Sequence, residues 1–258
     1  MVYTVQTYWP LLVKGTGVTM LIAVIGTAIG FVVGLIVGAI RVIPLKKQGQ
    51  TGLHPRTVLL KVVNAFLYCY VEVFRGTPMI VQATIVYYGL MEMAGIDMNP
   101  LTAGLWVVSM NTGAYMSEIV RGGIQSIDRG QTEAAKAIGM THWKTMLHVV
   151  LPQAIRNILP ATGNELVINI KDTAVLNVIS VGELYFAAKT IKGVNLRTYE
   201  VFLVVAGIYL FLTITCTRLL RYIEKRIDGP ASYTLATSST MPESILKPAG
   251  KNYTGRKI

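Results

Sequence analysis

The sequence predicts an all-α protein embedded in a membrane, with about five transmembrane helices, and three observations lead there. Of 258 residues, 52% are hydrophobic and 14% charged, against a charged share of about 25% in soluble domains. The apolar residues gather into runs near the ~20 residues that a helix needs to cross ~30 Å of hydrocarbon. The basic residues cluster after alternate runs instead of forming one patch. Backbone amides in lipid must be bonded within their own segment, and the runs are too long for barrel strands, so helices are the expected spanning structure.

The first run, Leu11 to Ile40, has Lys14 as its single charge. It carries Gly26, Gly30, Gly34 and Gly38 on one helical face, a seam that admits another backbone either within the subunit or between subunits. It is too long for a signal peptide and no basic segment precedes it, so it is expected to persist in the mature protein. Further runs cover Val62 to Met91, Leu101 to Ser117, Leu151 to Tyr185 and Val201 to Thr217. Cys69 and Cys216 lie within runs and read as free thiols behaving as small hydrophobes. Beyond Asp228 the chain turns Ser-, Thr- and Pro-rich with no helical period, so residues 229–258 are expected to be a disordered cytoplasmic tail to a transmembrane domain of residues 1–228.

The formal net charge of +11 could attract nucleic acid, but its distribution points to topology. Arg41, Lys46, Lys47, Arg56 and Lys61 follow the first run, Arg121, Arg129, Lys136 and Lys144 the third, and Arg218, Arg221, Lys225 and Arg226 the fifth. By the positive-inside rule these segments are cytoplasmic, the N-terminus is outside and the C-terminus inside. The acidic loop with Glu92 and Asp97 agrees, whereas Lys189, Lys192 and Arg197 fall on the outer side against the rule.

The second basic loop, about residues 129–152, carries the most specific motif: Glu133-Ala134-Ala135-Lys136-Ala137-Ile138-Gly139, nine residues from Met140 to His148, then Val149-Val150-Leu151-Pro152. Glu133 to Ala137 favour helix and Gly139 favours a helix end, giving a short amphipathic helix. The motif resembles the Glu-Ala-Ala loop of ATP-binding-cassette importer permeases, departing from it only in Val149 for the usual isoleucine. Glu72 to Pro78, Ala114 to Gly123 and Lys171-Asp172-Thr173 resemble its polar amino acid branch, and the likeness covers roughly residues 10 to 228. The resemblance implies a type I importer fold in a bacterial cytoplasmic membrane. It implies that residues Glu133 to Met140 form a coupling helix docking on an ATPase subunit. It also implies two such ATPase subunits, a second permease subunit (the same chain or a related one), and an extracytoplasmic amino acid-binding protein.

Ionisable residues inside apolar helices tend to pair, line a cavity or bind something. Glu165, Asn169 and Asp172 share one face of the fourth run, and Pro160 and Gly163 before them are expected to loosen that helix. Arg75 offers a planar fork for a substrate carboxylate, with Gly76-Thr77-Pro78 expected to break the second run beside it; its alternative is pairing with Glu72 or Glu118. Asn111, Tyr115 and Glu118 form a second stripe on the third run, where Glu118 lies close to the cytoplasmic end. These seven are the candidate substrate-binding residues. His54, His142 and His148 lack ligand-spaced partners, so no metal site is expected. No phosphate-binding loop or nucleophile–base arrangement is present; ATP and Mg would be bound by the partner ATPase. An ion-coupled secondary amino acid transporter is the main alternative, and an intramembrane hydrolase a weaker one lacking a converging nucleophile and base.

Overall fold

The computed structural model describes residues 2–43 and 55–228. The expected tail at 229–258 and His54 lie outside the described residues. In chain order come α1 (Val2–Val42), α2 (Pro55–Gly76), α3 (Met79–Ala94), α4 (Pro100–Gln125), the short α5 (Arg129–Ala137) and α6 (His142–Thr145), α7 (Leu151–Asp172), α8 (Leu184–Asn195) and α9 (Thr198–Asp228). A π-helical turn, Met146–Val150, leads into α7 and a 3-10 segment, Thr173–Ile179, follows it.

Helices α1, α2 and α9 are each long and apolar enough to cross a membrane, and α7 with its flanking turns and α8 makes a fourth span if the bent pair counts as one. The 26-residue α4 is less apolar because of where it sits. It is packed by α1, α2, α3 and α7, so Ser109, Thr112 and Ser117 are buried against protein and not presented to lipid.

Close approach of α1 and α4 organises the bundle. A methyl group added to Gly26 would lie 2.7 Å from Val108, on Gly30 2.7 Å from Thr112, on Gly34 2.3 Å from Met116, and on Gly38 2.8 Å from Val120. The seam is therefore internal to the subunit, and its ascending pairs show that α1 and α4 run parallel. Helix α2 runs against α4: the Tyr70 hydroxyl donates to the Met110 carbonyl at 2.6 Å, while Phe74 faces Trp106. Helix α7 also runs against α4, through Asn157 to Ser126 and Asn169 to Thr112. The C-termini of α1 and α4, the N-terminus of α7 and helix α5 thus share one end of the bundle, here called the α5 end.

The opposite end is closed by α8. Its Leu184, Ala188 and Ile191 pack with Leu12, Val201 and Val205 from α1 and α9. Glu183 caps α8: its wholly buried carboxylate accepts from the Tyr185 and Phe186 amides at 2.8 and 2.6 Å and from the Tyr209 hydroxyl at 3.0 Å.

Two expectations change. The fourth run is not one helix to Tyr185: α7 ends at Asp172, tightens into the 3-10 segment and turns at Ser180, whose φ is 62°, before α8 departs at 54°. Helix α7 passes through Pro160 unbroken, because Ile158 is fully buried against Gly123 of α4 and Gly163 abuts Leu220 of α9, so packing on both sides holds the turn that lacks a backbone donor.

The seam yields a direct test. Gly34→Val must push apart two backbones and is expected to destabilise the folded protein by about 1–3 kcal/mol or more, read as a lower melting temperature in detergent. Gly17→Ala, where an added methyl meets nothing within 4 Å, should leave it unchanged.

Candidate functional site

The second span breaks where the sequence suggests. Pro78 has no N–H for the Phe74 carbonyl four residues back, so α2 stops at Gly76 and α3 restarts after Pro78. Side chains take up the carbonyls of Val73, Phe74 and Thr77. Gln82 Nε2 donates to Phe74 O, Thr77 O and Thr77 Oγ1, each at 2.9 Å. Asn111 Nδ2 donates to Phe74 O at 3.2 Å and to Gln82 Oε1 at 3.0 Å, and the Thr77 hydroxyl takes Val73 O at 2.7 Å. Asn111 therefore braces the break. Gln82 was missed in the sequence because a single buried glutamine carries no signal until the carbonyls it serves are located.

Arg75, the residue before the break, is exposed and makes no ion pair with Glu72 or Glu118; its guanidinium carbon lies 5.4 Å from the centroid of the Tyr115 ring. That stacking leaves the fork of donors open to a ligand. Glu118 is placed differently: it pairs with Arg41 of α1 and with Arg121, whose Nη2 lies 2.7 Å away, at the α5 end. Both its oxygens are engaged, so Glu118 clamps α1 to α4.

The first stripe also divides. Asn169 is buried, and its Nδ2 donates to the Thr27 hydroxyl at 2.8 Å and the Thr112 hydroxyl at 2.9 Å. It fastens α7 to α1 and α4, a role the shared helical face could not reveal. Glu165 stays half-buried and Asp172 exposed at the end of α7, and among the described residues neither has a hydrogen bond or ion pair. Residues spaced i, i+4 and i+7 drift around the helix by a few tens of degrees, enough to bury one and leave its neighbours open.

Residues Glu133 to Met140 form the expected short helix and its closing turn. Asp128 caps α5, accepting from the Gly130 amide at 2.6 Å. Gly139 takes a φ of 84°, and the Gly139 and Met140 amides donate back to Lys136 O and Ala135 O, each at 3.0 Å, a Schellman closure. Ala135 is buried against the bundle; Glu133, Ala134, Lys136 and Ala137 are exposed, with Ile138 79% and the nearby Trp143 70% exposed. Pro152 sits in the first turn of α7, where a missing N–H costs little. His142 and His148 are exposed, and among the described residues no three His, Cys, Asp or Glu side chains are grouped to hold a metal ion.

The described residues thus form a helical bundle with a short exposed helix at one end and open charged groups midway along its length. Residues 55–229 match the family described as binding-protein-dependent transport system inner membrane component, and the chain belongs to that family. It is similar to the glutamine transport system permease protein GlnP of Escherichia coli (strain K12), 36% identical over 219 residues that span 84% of this chain and 93% of the other. It is similar also to the arginine transport system permease protein ArtQ of Bacillus subtilis (strain 168), 31% identical over 223 residues, 85% and 94% of the two chains. The crystal structure of an amino acid ABC transporter with histidines superimposes with a TM-score of 0.76 at 35% identity, covering 87% of this chain and 97% of that one. A MetNI methionine ABC transporter in an inward-facing conformation shares the fold, with a TM-score of 0.69 at 19% identity. The protein is thus a permease subunit of an ATP-binding-cassette importer, and family membership does not favour an ion-coupled carrier.

Gln82→Leu should leave the Phe74 and Thr77 carbonyls without donors at roughly 1–3 kcal/mol per group. Hydrogen exchange should rise in residues 74–82 while α5 remains as in the parent.

Proposed function

We propose that this subunit forms one half of a path for a polar amino acid, with the α5 end in the cytoplasm, the N-terminus outside, and ATP hydrolysed by a separate pair of ATPase subunits. The observation that carries the reading is the open set of charged groups at mid-bundle: Arg75 stacked on Tyr115, and Glu165 and Asp172, which make no hydrogen bond or ion pair among the described residues. A charge facing lipid at the bilayer centre costs at least ~2.5 kcal/mol, so this surface belongs against a second permease subunit and the water-lined path between the two. The relatives named for glutamine and arginine transport support an amino acid cargo. Arg75 suits the α-carboxylate, and the two carboxylates favour an amide or cationic side chain over an acidic one.

At the α5 end, the exposed tip of Ile138 and Trp143 is an apolar knob for a cleft in the ATPase subunit. The Schellman closure keeps it rigid, and the π-helical turn into α7 passes its movement to the helix that carries Glu165. An extracytoplasmic binding protein delivers substrate at the opposite end.

In proteoliposomes holding the whole complex, Glu165→Ala should reduce uptake and substrate-stimulated ATP hydrolysis by more than about tenfold, the loss of one charge-assisted contact of about 1.5–3 kcal/mol, while assembly is retained. Normal transport by that variant would remove Glu165 from the site. Gly139→Arg places a bulky residue at a left-handed φ and should abolish copurification of the ATPase; undiminished copurification would contradict the docking role.

A further inference from the structure

Helix α9 is longer than the hydrocarbon it crosses. Its 31 residues span about 46 Å at 1.5 Å each, against ~30 Å of hydrocarbon. Counted from Thr198 at the corner with α8, ~20 residues of crossing end near Arg218. The turns from Arg218 onward therefore reach the polar boundary at the α5 end, where Leu220 abuts Gly163 of α7.

One face of α9 changes character at that boundary. Gly207, Leu210, Phe211 and Ile214 are exposed on it, and Arg218, Arg221 and Lys225 continue the same line at intervals of three and four residues, also exposed. Val201 and Val205, on the other side of the helix, are buried with residues of α1 and α8. The positive-inside rule accounts for basic residues at this end, but not for their collection on one face below an apolar stripe.

Arg218, Arg221, Tyr222 and Lys225 line an open cleft of about 240 Å³. Sites that enclose whole small molecules run to ~300–1,000 Å³, so this one suits a single charged group better than a nucleotide. Among the described residues the three cations make no hydrogen bond or ion pair, and the half-buried Glu224 does not line the cleft. Tyr222 is oriented from behind: Arg226 Nη2 donates to its hydroxyl at 2.7 Å, with the guanidinium carbon 5.3 Å from the ring centroid. The hydroxyl's own hydrogen is left to donate.

We propose that this face binds an anionic phospholipid of the leaflet at the α5 end. Arg218, Arg221, Lys225 and the Tyr222 hydroxyl hold its phosphate, and an acyl chain lies along Ile214 and Phe211. Basic side chains beside a membrane surface attract anionic headgroups, and a guanidinium fork matches two phosphate oxygens. A soluble phosphate compound leaves the apolar stripe without a role. A second copy meeting this face across a two-fold axis would set cation against cation. The site requires only that α9 cross the membrane, so it stands independently of the substrate path.

The test uses the whole transporter in phosphatidylcholine nanodiscs holding a small fraction of phosphatidylglycerol with a photoreactive group midway along one acyl chain. After illumination, peptide mass spectrometry should find label on residues 207–214. An equally photoreactive phosphatidylcholine should label them about tenfold less. Combined Arg218→Gln, Arg221→Gln and Lys225→Gln substitutions should reduce phosphatidylglycerol labelling to the phosphatidylcholine level. Tyr222→Phe, which keeps every charge and almost all the volume, should reduce it a few fold. Equal labelling by the two lipids in the wild type, or an unaltered preference in the triple variant, would overturn the proposal. So would displacement of the label by inorganic phosphate, which assigns the cleft to a soluble anion, or absence of label from residues 207–214, which assigns this face to a protein contact.

Discussion

The close approach of α1 and α4 is the constraint on which the rest of the molecule depends. Four glycines at four-residue intervals remove the side chains that would hold the helices ~8–10 Å apart. The two backbones then run parallel over most of the span. That contact brings Thr27 and Thr112 to the same level, where one carboxamide, Asn169 of α7, bonds both. It also brings Arg41 to Glu118 at the α5 end. In lipid the bundle gains little from burying apolar surface, so van der Waals contact and these few polar fasteners carry the association.

With α4 enclosed, a broken helix can be tolerated beside it. A free carbonyl within a membrane is costly, and the break at Thr77–Pro78 survives because Gln82 and Asn111 reach its carbonyls from α3 and α4. The break is thus a corner bonded at Phe74 and Thr77, and Arg75 is held at its edge with the guanidinium over Tyr115. The same logic governs the end of α7, where the chain tightens at Thr173 just after Asp172. Irregular backbone flanks two of the three charged groups that the bundle leaves open, Arg75 and Asp172.

The two ends of the subunit differ in what they expose. At the α5 end, a capped helix closed by Gly139 offers an apolar tip; at the other, α8 buries its apolar face inward and leaves cations outward. Both surfaces sit on hydrogen-bonded corners. The α7 helix joins them, running from the coupling turn past Glu165 to the segment that leads to α8.

The helical class, the break at Pro78, the small-residue face of α1 and the short helix closed at Gly139 were legible in the sequence, because each follows from hydropathy, from backbone chemistry of Pro and Gly, or from a motif with fixed spacing; that the fourth run would bend at Ser180, and that the glycine face would pack within the subunit, were not. Nor were the roles of the polar stripes. Spacing places Asn111, Tyr115 and Glu118 on one face, and Glu165, Asn169 and Asp172 on another, but says nothing of what each face meets at each level. Tertiary structure decided that Asn169 would fasten three helices, that Asn111 and Gln82 would brace the break, and that Glu118 would clamp α1 to α4, leaving Arg75, Tyr115, Glu165 and Asp172 open. A helix's own sequence sets the direction of its side chains; which are satisfied depends on partners tens of residues away, and those are chosen only when the helices pack.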